Sequence, residues 1–184
     1  MLDTKVEDKL MMTVMRSLVI LLLLTALKSF PAASPSSSLV FSEKSSGYAE
    51  LGDVPVDGTL TVSLSFRTVA SEGLLLYMRE ISAGQHVTLF LSEGVLHLQI
   101  HSDSIINLVS KNEKTGEKVR MDDNQWHDVL VFLNKWPVIV FMKIDDSENV
   151  ETVQFLPQLD DTSYETFIGG VRSESETPFV GCLR

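Results

Sequence analysis

Residues 86–101 read HVTLFLSEGVLHLQIH. Two apolar-rich runs, His86 to Leu91 and Val95 to His101, flank the short polar break Ser92-Glu93-Gly94. In the second run Val95, Leu96, Leu98 and Ile100 supply the apolar side chains. Such a pattern predicts two strands joined by a tight hairpin, with Gly94 taking the positive φ that the turn requires. The same grammar continues in both directions. Upstream, Leu60, Val62, Leu64 and Phe66 alternate with Thr61, Ser63, Ser65 and Arg67, a period of two that buries one face of a strand and wets the other. Gly73 then opens the run from Leu74 to Met78. Downstream come Ile105 to Val109, a charged excursion from Lys111 to Arg120, Trp126 to Leu133, and Val138 to Ile144. Asp145-Asp146-Ser147 forms a turn, and Val150 to Phe155, Thr166 to Ile168 and Phe179 to Leu183 complete the series. No helical stripe of more than a turn or two interrupts it. About ten short strands spaced by turn residues predict an all-β, antiparallel sandwich or barrel.

The front of the chain has a different character. Leu18 to Leu24 read LVILLLL, and the apolar run extends to Leu27. As a helix it spans about 15 Å, half of a bilayer's hydrocarbon core. With Arg16 before it and Ala32-Ala33-Ser34 after it, the stretch predicts a secretory signal peptide over residues 1–33. The acidic lead before it suits such a segment poorly, and Met11, Met12 or Met15 would each give a more basic start. Cleavage is expected between Ser29 and Ser38. Residues 34–38 form a Pro/Ser-rich spacer, and the globular domain is expected over residues 39–184. The body is therefore expected to be secreted, or to be the ectodomain of a membrane protein anchored elsewhere.

Charge narrows the partners. The chain has 184 residues with 25 acids against 15 bases, a formal net charge of −10. The leader holds four of the bases and three of the acids, so the acidity belongs to the body. That excludes an electrostatic footprint for nucleic acid. Lys111, Lys114, Lys118 and Arg120 form the only basic cluster, diluted by Glu113 and Glu117, which argues against heparan sulfate. One cysteine, Cys182, excludes an internal disulfide framework.

Four stretches in register resemble a laminin G-like domain, with the layout of neurexin-like proteins. They are Leu64-Ser65-Phe66-Arg67-Thr68 with Gly73-Leu74-Leu75-Leu76-Tyr77, then Leu89 through Leu96, then Asn124-Gln125-Trp126-His127-Asp128-Val129. The fourth is Phe167-Ile168-Gly169-Gly170 followed by Phe179-Val180-Gly181-Cys182-Leu183-Arg184. The resemblance implies a jelly-roll sandwich of the concanavalin and laminin G type. It makes Gly73, Gly94, Trp126, Gly169, Gly170 and Gly181 determinants of the fold, with Trp126 expected in the interior. It also implies that Cys182 pairs with a cysteine outside this chain and that a closing strand is missing after Arg184.

The titratable residues carry no catalytic signature. His97 and His101 lie about 13 Å apart along one strand, too far to share an ion, and His127 reads as a sheet residue. The acidic pairs Asp122-Asp123, Asp145-Asp146 and Asp160-Asp161 fall in predicted turns, and no nucleophile motif is present. An enzyme is not expected. Many laminin G-like domains hold a rim calcium ion; here the resemblance points to Gln85, Asp160 and Asp161, with the neutral Gln85 a weak ligand. The functional expectation is a non-catalytic extracellular module that binds a protein or glycan through its rim loops in adhesion or matrix assembly. The alternatives are a carbohydrate-active enzyme on a lectin-like sandwich and a carrier of a small apolar ligand such as a steroid.

Overall fold

A computed structural model describes residues 38–42, 47–80, 84–101, 105–112, 114–134, 139–145, 147–151, 162–171 and 177–184. The expected leader, nearly all of the spacer, and Asp160 and Asp161 lie outside the described residues. Twelve strands are described: β1 (Leu39–Phe41), β2 (Ala49–Val56), β3 (Thr59–Arg67), β4 (Gly73–Glu80), β5 (His86–Ser92), β6 (Val95–His101), β7 (Ile105–Val109), β8 (His127–Asn134), β9 (Ile139–Ile144), β10 (Ser147–Glu151), β11 (Thr162–Ile168) and β12 (Gly181–Leu183). They form two six-stranded sheets, ordered β1-β12-β3-β8-β9-β10 and β2-β11-β4-β5-β6-β7. All strand pairs are antiparallel. The fold is the expected antiparallel β-sandwich.

The alternation in the sequence becomes the division between core and surface. Phe66, Val129, Val131, Leu133, Val140 and Met142 of the first sheet share one core with Leu75, Met78, Val87, Leu89, Leu98 and Ile100 of the second. Each fully buried side chain of this size contributes about 1.5–3 kcal/mol through removal from water. The hairpin at 86–101 forms as its sequence predicts. Ser92 pairs with Val95, and the two residues between, Glu93 at φ 54° and Gly94 at φ 78°, make the left-handed turn that suits the twist of the flanking strands.

Strands β1 and β2 carry no alternating signal, and β10 begins at Ser147, where the sequence predicts a turn, and ends at Glu151. β1 spans three residues. β2 (AELGDVPV) contains both Gly52 and Pro55, residues that normally mark turns. β2 is an edge strand, where a missing N–H is tolerated. Its register on β11 shifts as Thr166 pairs with Gly52 and Phe167 with Glu50, and Gly52 at φ 77° accommodates the bulge. Gly181-Cys182-Leu183 is itself strand. β12 is inserted between β1 and β3, pairing Val40 with Cys182 on one side and Arg67 with Cys182 on the other. The ladder runs on to Arg184, which exchanges backbone hydrogen bonds of 2.8 and 2.9 Å with Ser65.

The glycine pair at 169–170 separates into unequal members. Gly169 has φ +79°, and a Cβ there would lie 2.2 Å from the Phe41 ring. At Gly170 a Cβ would meet nothing nearer than 3.6 Å. Only Gly169 is required by the packing. Gly169→Ala is expected to cost about 2–4 kcal/mol, from a strained φ and overpacking, and Gly170→Ala less than about 1 kcal/mol. Urea midpoints of the two variants check this.

Candidate recognition surfaces

Strand β8 opens at His127, directly after Trp126, and strict alternation sends successive side chains to opposite faces. Because Val129, Val131 and Leu133 face the core, His127 must also face inward and Trp126 outward. His127 is 8% exposed, with its ring 5.5 Å from that of Phe66. Trp126 is half-buried on the outer surface of the first sheet. Its ring packs against the guanidinium of Arg67 at 5.4 Å and that of Arg184 at 4.3 Å. Each such contact is worth about 0.5–1 kcal/mol at an exposed site. The expectation of an interior tryptophan is therefore corrected. Counting back by twos from Val129 was the signal that could have found this.

His127 is held by two carboxylates. Nδ1 lies 2.9 Å from Asp145 Oδ2, and Nε2 lies 3.0 Å from Asp123 Oδ1. Asp145, itself at φ 51°, also accepts the Asp128 N–H through Oδ1 at 2.8 Å. Asp123 Oδ1 accepts the Gln125 N–H at 2.8 Å. An imidazole with acceptors at both nitrogens is satisfied only when both carry protons. Burial opposes the charged form, but the hydrogen bonds and charges of Asp145 and Asp123 outweigh it, and the His127 pKa is raised above its ordinary 6.5. The backbone N–H of Gln125, then His127 itself, hold Asp123 below its ordinary 3.8. Two of the turn acids thus tie the 122–126 loop and the β9–β10 hairpin to one buried ring.

The second sheet presents an ordered outer face. One cross-strand row runs Glu165, Arg79, His86, His101, Ile105, and a parallel row runs Phe167, Tyr77, Thr88, Gln99, Asn107. The rings of His86 and His101 stack at 4.5 Å with 10° between planes, and those of Phe90 and His97 at 5.1 Å with 17°. Tyr77 touches His86 at 5.6 Å and Phe167 at 6.5 Å. Arg79 is ion-paired with Glu165.

Of the remaining sequence candidates, Gln85 and Cys182 lie among the described residues and Asp160 and Asp161 do not. Gln85 is half-buried, and its carbonyl oxygen accepts the Glu80 N–H at 2.8 Å. Its two expected carboxylate partners lie outside the described residues. No group of three or more His, Cys, Asp or Glu fit for a metal occurs among the described residues. Cys182 is a half-buried free thiol, with the Arg67 guanidinium 4.0 Å from its sulfur. In the basic excursion Lys111 bridges Lys118, and Arg120 is paired with Asp122, so its charge is locally offset. Among the described residues no helix is long and apolar enough to cross a membrane.

The His127 clamp has a pH signature. A raised native pKa means that the folded state binds the proton more tightly than the unfolded one. The stabilisation is then complete below about pH 6.5 and is lost as pH rises through the native value. Urea midpoints should fall between about pH 6 and pH 8, and Asp145→Asn should flatten that fall. An unaltered slope in the variant would show that another group titrates.

Known proteins share this architecture. The laminin G domain family model matches residues 66–184. Rat contactin-associated protein 1 is 30% identical over 144 residues, covering 74% of this chain and 10% of the relative; the chain thus spans about a tenth of that protein. The LG1–3 region of the laminin α2 chain superposes with a TM-score of 0.55 at 25% identity, covering 80% of this chain and 27% of that one. Domains LG4–5 of the mouse laminin α1 chain share the fold, with a TM-score of 0.57 at 23% identity over 84% of this chain and 45% of that one. The chain belongs to the laminin G domain family.

Proposed function

We propose that this domain is an extracellular, non-catalytic recognition module that binds a protein or glycan partner in cell adhesion or matrix assembly. The observation that carries the reading is the family match over residues 66–184, joined to kinship with a contactin-associated protein and laminin α chains. The first of these is, by its name, a partner of another protein. The apolar leader supports export, with residues 1–33 removed and 34–38 left as a spacer before the domain.

The outer face of the second sheet supports the reading further. Phe90, Tyr77, His97 and Gln99 present flat rings and an amide on a rigid surface, a combination suited to polar recognition at little entropic cost. The negative net charge and the paired Arg120 argue against a sulfated glycan as that partner.

Expression of the full chain in mammalian cells should deliver the protein to the medium with a new N-terminus between residues 29 and 38. Retention inside the cell with the leader intact would overturn export. The secreted protein should bind saturably to a member of an extracellular protein or glycan array without converting it. Phe90→Ala and Gln99→Ala together should weaken that binding at least about tenfold while leaving the melting temperature within a few degrees. Undiminished binding by the double variant would place the partner on another surface.

A further inference from the structure

The sequence sets His97 and His101 on one strand and too far apart to act together. The fold gives His101 a different neighbour. His86 on β5 stands directly opposite His101 on β6, a position in which Cβ atoms lie about 4.5–5.5 Å apart. Their rings are not splayed but side by side, 4.5 Å between centroids and within 10° of parallel. We propose that His86 and His101 form a two-imidazole site for a borderline divalent metal ion of the zinc class, on the outer face of the second sheet.

Imidazole nitrogen is the donor that zinc and its late first-row neighbours favour. Two nitrogens bound to one tetrahedral zinc at about 2.0–2.1 Å lie about 3.4 Å apart. Rings stacked 4.5 Å apart aim their nitrogen lone pairs along parallel planes, so to share one ion each ring turns about its side-chain torsions until a nitrogen faces the metal, with no change in strand register. Both residues are half-buried, so backbone and neighbours restrict the rings while one side stays open to solvent. The next residue along the row, Arg79, would repel a cation, but its charge is taken up by Glu165. The net charge of −10 favours cation approach. His97 provides an internal contrast, because it faces Phe90 across the strands instead of a second imidazole. No third His, Cys, Asp or Glu completes a three-donor group among the described residues. Two imidazoles alone would hold an exchangeable ion rather than a structural one.

The test is titration of zinc chloride into the tag-free full chain, followed by calorimetry. One zinc per chain should bind, and His86→Ala and His101→Ala should each weaken binding at least about tenfold, the loss of one arm of a chelate. His97→Ala and Cys182→Ser should leave it unchanged. Absence of saturable binding in the parent chain would overturn the site, as would loss of binding only in the His97 or Cys182 variants. Should a histidine variant fail to fold, copper(II) added to the parent chain decides the matter by NMR. Ring protons of His86 and His101 should broaden first, and earlier broadening elsewhere would overturn the site. No partner molecule enters either measurement, so its outcome is independent of the recognition role proposed above.

Discussion

The register of the central hairpin determines which side chains of the second sheet meet the core, and a two-residue turn sets it. Glu93 and Gly94 both occupy left-handed backbone. Because side chains alternate with period two, a slip of one residue would send Leu89, Leu91, Leu96 and Leu98 to solvent and draw Phe90, His97 and Gln99 inward. The turn is braced from outside the hairpin as well. Gly94 donates its N–H to the Ser71 carbonyl at 2.8 Å and accepts the Met121 N–H at 2.7 Å. A Cβ on Gly94 would approach the Asp122 carboxylate to 2.5 Å. The β3–β4 and β7–β8 connections therefore both depend on this one glycine. The outer rows of rings exist only because the inner rows are aligned.

At the start of β8 the same period rules, with polar groups in charge. An inward histidine is costly unless its ring nitrogens are satisfied, and here two loop carboxylates satisfy both. Acid pairs that read as ordinary turn composition thus acquire a division of labour. Asp123 and Asp145 hold the ring, while Asp122 holds Arg120. The outward neighbour, Trp126, retains much of its apolar surface near solvent and is covered by arginine side chains instead of by core.

Much of the fold was legible because most strands keep an unbroken apolar alternation; the runs predicted for β3 and β5 to β9 agree with the structure to within one residue at either end. β2 escaped because its bulge and edge position permit Gly52 and Pro55, and local composition does not reveal which strand is an edge. Trp126 was assigned to the interior on size and family resemblance, against the alternation of its own strand. The histidine pair was invisible for a different reason. Separation along one strand can be counted from the sequence, whereas adjacency between strands requires the register, and the hairpin turn supplies it only once its two-residue length is known. The relation of Gln85 to Asp160 and Asp161 is of the same non-local kind.

The position of β12 carries a consequence for biosynthesis. Its three residues form an inner strand, and among the described strands β1 reaches the first sheet only through them. The contact between Leu39 and Leu183 spans nearly the whole domain. Hairpins such as β5–β6 can form while the ribosome is still working, but β1 must wait until residue 183 clears the exit tunnel. Through that interval Phe41 lacks its ring contact with Phe179, and the inner edge of β3 is open near Phe66 and Arg67. Until residue 183 is free, β1 has no described partner strand, and its backbone is open to non-native pairing.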